Sequence, residues 1–362
     1  MKILFILEYY YPNIGGVEKL FKDLAENLAN QGHDILIITT RFNQQLPKEE
    51  TINQVKIKRL NLTNRFSFTF FSIFSIFPLV SKYDFIHTTS YNAAFPAWLA
   101  AKIYHKKCII TFHEVWGDLW KQLPYLSFIQ KKIFYLYEWA ILKLKFDHYI
   151  AVSEFTKNKL IESGIPSHKV HRIYNGINRE DYEVAEIQKP DNFTFSYFGR
   201  LGVSKGLDII LPAAKEFISQ HPQSVFKCII PQTPQAFYKK VLSDIEKLDF
   251  GENILILHHL SFDDLKKEIR SSNCILIPSY SEGFCFAAVE TTALHTPIIS
   301  SAKGALVETV SGQYIEMDTH SVKAMITSLE RAYHGDFDYK KEIGFPLEES
   351  IRNYLKFYQS VL

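Results

Sequence analysis

Apolar residues along this chain recur in two rhythms that take turns. Short continuous runs, rich in Ile, Val and Phe, have the length and make-up of buried strands; between them, apolar positions three and four apart mark helices. Residues 3–7 read as a first strand. Gly15-Gly16 opens a helix with Val17, Leu20, Phe21, Leu24 and Leu28 at helical spacing, Gln31-Gly32-His33 ends it, and residues 34–40 form a second strand. This is the β-α-β unit of a doubly wound sheet. The alternation continues through strands at 55–60, 85–88, 108–111, 149–152 and 171–174 and helices at 93–104, 128–143 and 154–163.

After Asn175 the composition turns polar through residue 192, as expected of a connector, and a second alternating series begins. Its strands are expected at 193–198, 226–230, 254–257, 274–278, 298–300 and 314–315, and its helices at 207–219, 236–248, 263–271 and 321–333. The tail from Phe345 to Leu362 is amphipathic, with Ile351, Tyr354, Leu355, Tyr358 and Leu362 on one face, a helix that needs a surface to cover. No repeat or low-complexity segment interrupts the series. At 362 residues the chain has room for two α/β domains.

The densest chemistry lies at Ser279-Tyr280-Ser281-Glu282-Gly283-Phe284-Cys285-Phe286-Ala287-Ala288-Val289-Glu290, just after the run Cys274-Ile275-Leu276-Ile277-Pro278. A buried strand ends at the proline, a short loop holds Glu282 and Gly283, and a helix then carries Glu290 in its early turns. Two carboxylates, a glycine and free helix amides therefore gather at the carboxyl edge of a strand, where open α/β sheets bind ligands. The amides suit a phosphate, and carboxylates suit sugar hydroxyls. Together they point to a nucleotide sugar. Upstream, Arg200 and Lys205 follow the strand at 193–198, interleaved with Gly199, Gly202 and Gly206. Glycines let the backbone approach a ligand closely, and two fixed cations can neutralise a departing pyrophosphate.

Glu282 and Glu290, with seven residues between them, resemble the paired glutamates of the retaining glycosyltransferases of family 4. Four further segments resemble that family in the same order: Tyr11-Pro12-Asn13-Ile14-Gly15-Gly16-Val17-Glu18, Thr111-Phe112-His113-Glu114, Asn175-Gly176-Ile177, and Phe198-Gly199-Arg200-Leu201 with Lys205-Gly206. The resemblance implies the GT-B fold: two Rossmann-like domains facing each other across a cleft, with the final helix crossing back to the N-terminal domain. The domains would be 1–175 with about 344–362, on the acceptor side, and 176–343, binding the nucleotide sugar. It implies metal-independent hexosyl transfer from a UDP- or GDP-linked donor to a glycan or lipid-linked acceptor, with retention and no cofactor, as in polysaccharide biosynthesis. Glu282, His113, Arg200 and Lys205 would be catalytic; Gly15, Gly16, Gly283, Phe284, Cys285, Phe286 and Glu290 would hold the donor. Glu290 would grip the ribose hydroxyls, Glu282 would face the donor sugar, and His113 would hydrogen-bond to it. Cys285, His295 and Lys303 stand where the family usually has glycine. Two other readings stay open: a nucleotide-sugar epimerase of the same architecture, and a non-catalytic nucleotide-sugar-binding scaffold.

Composition narrows the setting. A hydrophobic share of 47% and a charged share of 22% are those of a folded globular protein. Cys108, Cys228, Cys274 and Cys285 have no metal-like spacing and read as reduced thiols of a cytoplasmic protein, with no zinc site. The first apolar run ends in Glu8 without a small-residue cleavage site, unlike a signal peptide. The run 66–80 falls short of the roughly 20 residues of a spanning helix. Residues 1–175 carry 22 Lys and Arg against 14 Asp and Glu, and the remainder 19 against 25. A basic first half attracts anionic partners, and nucleic acid is not among those expected. The segment Phe66–Phe77 places Phe66, Phe70, Phe74 and Phe77 in one stripe near Lys56, Lys58, Arg59 and Arg65. It is either a core helix under the first sheet or a contact with an anionic membrane's inner face. His87 is expected to be scaffold.

Overall fold

The computed structural model describes residues 1–13, 15–62, 65–185 and 187–362. They divide into two compact units: 1–121, 128–176 and 347–362 in the first, and 122–127 with 177–346 in the second. Each is an α/β sandwich around one sheet.

The first sheet has eight strands: β1 (Lys2–Ile6), β2 (Asp34–Thr40), β3 (Glu49–Ile52), β4 (Val55–Leu60), β5 (Phe85–Thr89), β6 (Lys107–Phe112), β7 (His148–Ala151) and β8 (Val170–Arg172). Their order is β3-β4-β2-β1-β5-β6-β7-β8, all parallel except the β3–β4 pair. The order reverses at β1, which pairs with β2 on one side and β5 on the other. Side-chain alternation along β1 builds both cores at once. Ile3, Phe5 and Leu7 face the helix Gly16–Asn30, whereas Leu4 and Ile6 face the opposite layer with Phe68, Ile76, Ala97 and Ile141.

The second sheet has seven strands: β9 (Thr194–Phe198), β10 (Val225–Ile229), β11 (Ile254–Leu257), β12 (Cys274–Ile277), β13 (Ile298–Ser300), β14 (Gly312–Glu316) and β15 (Asp338–Lys340). Their order is β11-β10-β9-β12-β13-β14-β15, parallel except for β14–β15. Here the reversal falls at β9, between β10 and β12. The helices Leu207–Gln220 and Val322–Tyr333 cover one face through Ile210, Phe217, Met325 and Leu329.

The strand and helix series expected from the sequence is present, with ends shifted by a residue or two. The antiparallel edges β3 and β15 were not expected; their short polar sequences EETI and DYK carry no apolar run. The segment expected as a single stripe is two helices, Arg65–Phe71 and Ile73–Val80.

The tail is the helix Leu347–Val361, and it packs within the first unit. Ile351, Tyr354, Phe357, Tyr358 and Val361 are buried in the same core as Phe5 and Phe21, while Leu362 lies past the helix and exposed. Each such apolar side chain contributes about 1.5–3 kcal/mol. His87 on β5 fixes the docking. Its Nδ1 lies 2.5 Å from the Tyr358 hydroxyl and its Nε2 2.8 Å from Thr111 Oγ1. Burial, with a smaller contribution from His113, pushes the His87 pKa down to about 3.

That depression links stability to pH. Below about 6.5 the unfolded chain takes a proton on His87 that the folded chain refuses until about pH 3, so stability falls as pH drops through this window. Replacing His87 by Gln should flatten the loss between pH 7 and pH 5 by about 2 kcal/mol in denaturant titrations. A variant with the wild-type slope would contradict this account of His87.

Candidate active site

Two loops meet where the second sheet reverses. The first leaves β9 at Phe198 and runs through Gly199, the exposed Arg200, and Lys205 to the helix Leu207–Gln220. The second leaves β12 at Ile277 and runs through Ser279 and Glu282 to the helix Phe286–Ala293. The backbone amide of Tyr280 donates to the Ser204 carbonyl at 2.8 Å, joining the loops directly. Their second bond is the Tyr280 hydroxyl, which donates to Asp208 Oδ2 at 2.6 Å.

Close approach dictates two glycines. Gly206 has φ +74, and a Cβ there would fall 2.2 Å from the Pro278 carbonyl oxygen. Gly304, at φ +67, would place a Cβ 2.4 Å from the Glu282 carbonyl oxygen. Neither gap admits a methyl group. The backbone around Glu282 is thereby gripped from behind, with Ala305 N–H donating to the Glu282 carbonyl at 2.7 Å.

Glu282 is only 6% exposed. Its Oε1 receives Lys205 Nζ at 2.7 Å and the Ser279 hydroxyl at 2.6 Å. The structure thus joins two of the expected site residues in an ion pair that sequence spacing could not show. Glu290, half-buried on the motif helix, accepts a hydrogen bond from the Tyr182 hydroxyl at 2.7 Å. A cavity of about 400 Å³ lies at the other end of that helix, lined by Arg179, Tyr182, Arg270 and His295.

Gly283 and Phe284 are buried, and the Phe284 ring meets Phe286 at 5.3 Å and Phe345 at 5.1 Å. Cys285 caps the motif helix with φ +68, and His295 has φ +51. Both therefore adopt the left-handed backbone that glycine takes freely and other residues rarely. Two of the three departures from the family's glycines thus keep a conformation glycine favours while adding a side chain; Lys303 is not among the positive-φ residues. Burial, and then the neighbouring Glu282, push the Cys285 thiol well above its ordinary pKa.

The remaining expected residues belong to the first unit. Gly15 precedes the helix Gly16–Asn30 with φ 179, an extended conformation open to any residue, so backbone freedom is not what glycine supplies there. The expected loop includes Ile14, which lies outside the described residues. His113 follows β6, half-buried, with its ring 6.3 Å from Phe21.

Sequence reasoning missed a polar cluster where the first sheet reverses. Glu8, buried just past β1, accepts from Arg65 Nε at 2.5 Å and from Asn92 Nδ2 at 2.9 Å. Asn92 Oδ1 in turn accepts from the Thr69 hydroxyl at 3.2 Å and the Tyr137 hydroxyl at 3.0 Å. Nearby, buried Glu138 takes the amides of Trp116 and Gly117 and the Tyr91 hydroxyl. Desolvation raises the pKa of Glu138 against those hydrogen bonds. The available signal was Glu8 itself, an acid directly after the first apolar run.

Comparison with known proteins agrees with this fold. Residues 14–181 match the family model "Glycosyltransferase Family 4", and residues 178–344 match "Glycosyl transferases group 1". A phosphatidylinositol N-acetylglucosaminyltransferase subunit of Homo sapiens is 23% identical, over 98% of this chain and 72% of its own length. Among solved structures, sucrose-phosphate synthase from Thermosynechococcus elongatus superposes with a TM-score of 0.83 at 19% identity, covering 99% of this chain and 98% of that one. HepE from Anabaena, in complex with UDP and glucose, gives 0.73 at 16% identity, covering 99% and 100%. Carrying both family domains in sequence, the chain belongs to glycosyltransferase family 4 and is a glycosyltransferase of GT-B type.

Proposed function

We propose that this glycosyltransferase moves a hexosyl group from a nucleotide-sugar donor to a hydroxyl of a glycan or lipid-linked acceptor, with retention at the anomeric carbon and without a divalent metal. The observation that carries the reading is the Lys205–Glu282–Ser279 cluster at the sheet reversal, with Glu290 on the helix that follows. Support comes from the Anabaena neighbour in complex with UDP and glucose, which favours a UDP-linked donor. The name of the human relative supports an N-acetylhexosamine donor and a lipid acceptor. Free thiols at all four cysteines accord with a cytoplasmic enzyme.

In this reading the donor diphosphate lies across the two loops. Arg200 and Lys205 meet the negative charge that grows on it as the glycosidic bond breaks, and the amides at the start of the helix Phe286–Ala293 add a favourable dipole. Lys205 must then exchange its contact with Glu282 for a phosphate oxygen. The released Glu282 carboxylate faces the sugar, while Glu290, held by Tyr182, takes the ribose hydroxyls. The roles proposed for Gly15, Gly16 and His113 rest on the family resemblance alone. The Lys205–Glu282 pair, poised for charge exchange, favours transfer over a binding scaffold.

Product analysis with a labelled donor tests the reaction class. The expected product keeps the donor's anomeric configuration by NMR; an inverted product or an epimerised donor would overturn the reading. Replacing Arg200 or Lys205 by Ala should lower kcat about a hundredfold, on the order of 3 kcal/mol in the barrier. Thermal melts confirm that the variants remain folded. Near-normal rates in both, or loss of wild-type activity in chelator, would contradict the metal-free clamp.

The two glutamates should separate kinetically. Glu290→Ala is expected to raise the donor KM, and Tyr182→Phe to do so more weakly, at about 1–3 kcal/mol per charged hydrogen bond. Glu282→Ala should lower kcat more than it raises KM. Equal effects of both glutamate substitutions on both constants would refute this division.

A further inference from the structure

The outer layer of the first unit packs one apolar side on the core and exposes a second one. On the helix Phe128–Leu142 the buried side carries Ile141 and the carboxylate Glu138, whereas Phe128, Ile129, Ile133, Leu136 and Trp139 are exposed, Phe128 to 81% and Trp139 to 53%. The pair of helices Arg65–Phe71 and Ile73–Val80 repeats the arrangement, with Phe68, Ile76 and Val80 in the core. Thr69 and Ser72 are buried, while Phe66, Phe70, Phe71 and Phe74 face outward, Phe74 to 76%. A helix in water places its apolar face inward, so these faces suit an apolar environment.

The two faces are continuous. The Phe66 ring lies 6.5 Å from Tyr137 on the longer helix. From Phe70 a chain of rings runs through Phe95 at 6.3 Å to Trp98 at 6.2 Å, and the Trp98 indole donates to the Lys145 carbonyl just beyond the longer helix. A contiguous apolar surface of this kind marks an interaction site.

Charge selects the partner. Residues 51–146 carry 13 Lys and Arg against four carboxylates, Asp84, Glu114, Asp118 and Glu138, and Glu138 is buried. Exposed Lys102, Lys132, Lys143 and Lys145 lie on or beside the platform helices, and the Lys143 ammonium stands 5.7 Å from the Trp139 ring centroid. The cations expected beside the stripe are engaged elsewhere: Lys56 pairs with Asp34, Lys58 with Glu49, buried Arg59 with Glu50, and Arg65 with Glu8. Interspersed lysines are unfavourable at the centre of a protein–protein interface but are placed well at a lipid headgroup layer, where long side chains reach the phosphates. Helices satisfy their own backbone groups and tolerate that layer. Among the described residues no helix is long and apolar enough to cross a membrane, so the platform would lie on the surface.

We propose that the first unit docks on an anionic lipid bilayer through this platform, with Phe70, Phe74, Ile133, Leu136 and Trp139 entering the interface and Lys132, Lys143 and Lys145 meeting the headgroups. The proposal does not depend on the reaction. It is tested by sedimentation of the full chain with phosphatidylcholine vesicles, with and without phosphatidylglycerol, and no sugar donor.

The expected result is salt-sensitive pelleting with the anionic vesicles only. The bound fraction should fall about tenfold in Phe70→Ser with Phe74→Ser and in Ile133→Ser with Leu136→Ser, and comparably in Lys132→Glu with Lys143→Glu. These side chains are exposed, so melting temperatures should hold. No pelleting at low salt, equal pelleting with neutral vesicles, or undiminished pelleting of the apolar variants would overturn the proposal. So would light scattering that shows a dimer dissociated by the same variants, since a second copy would then cover the platform.

Discussion

At the reversal of the second sheet, two backbone turns approach until no side chain fits between them. Gly206 sits against the Pro278 carbonyl and Gly304 against the backbone of Glu282. This contact fixes the loop after β9 and the loop after β12 relative to each other, and the chemistry inherits that rigidity. Lys205 immediately precedes one glycine and reaches Glu282 at 2.7 Å. A buried carboxylate would be costly without such an ammonium; paired, it holds a cation that, in the proposed function, a diphosphate would compete for.

The first unit shows the same topology put to another use. Its sheet also reverses, at β1, and an acid, Glu8, again follows the strand there. Glu8 is tied to Arg65 and Asn92, residues belonging to the layer whose outer side is apolar. That layer thus buries polar side chains around the carboxylates Glu8 and Glu138 beside core residues such as Phe68 and Ile141, and exposes further aromatics on its outer side. On the opposite face of the sheet, His87 receives the C-terminal helix through Tyr358, so the last residues of the chain complete the core begun by the first.

Much of this was legible in the sequence because it is local. Runs such as Cys274–Ile277 and the helical spacing of Leu20, Leu24 and Leu28 report burial within a few residues of themselves. The Glu282–Glu290 motif reports a strand, loop and helix in one segment. What escaped depends on distant partners. Lys205 and Glu282 are 77 residues apart, and Tyr182 and Glu290 are 108 apart. Spacing alone could not reveal that Lys56 and Lys58 are spent on neighbouring strands, that Phe357 and Val361 rather than Leu362 are buried, or that Cys285 keeps a glycine's backbone. β3 and β15 escaped for another reason: edge strands need no apolar pattern when only one side is paired.

The central claim of the proposed function is that Glu282 and the donor diphosphate compete for the Lys205 ammonium. A double-mutant cycle on UDP affinity, by titration calorimetry of the wild type, Lys205→Ala, Glu282→Gln and the double variant, tests it most directly. If Glu282 competes with the diphosphate for the Lys205 ammonium, Glu282→Gln should tighten UDP binding when Lys205 is present and lose that gain when Lys205 is Ala, a coupling of about 1–3 kcal/mol. Strictly additive effects, or UDP affinity indifferent to Lys205, would contradict the account.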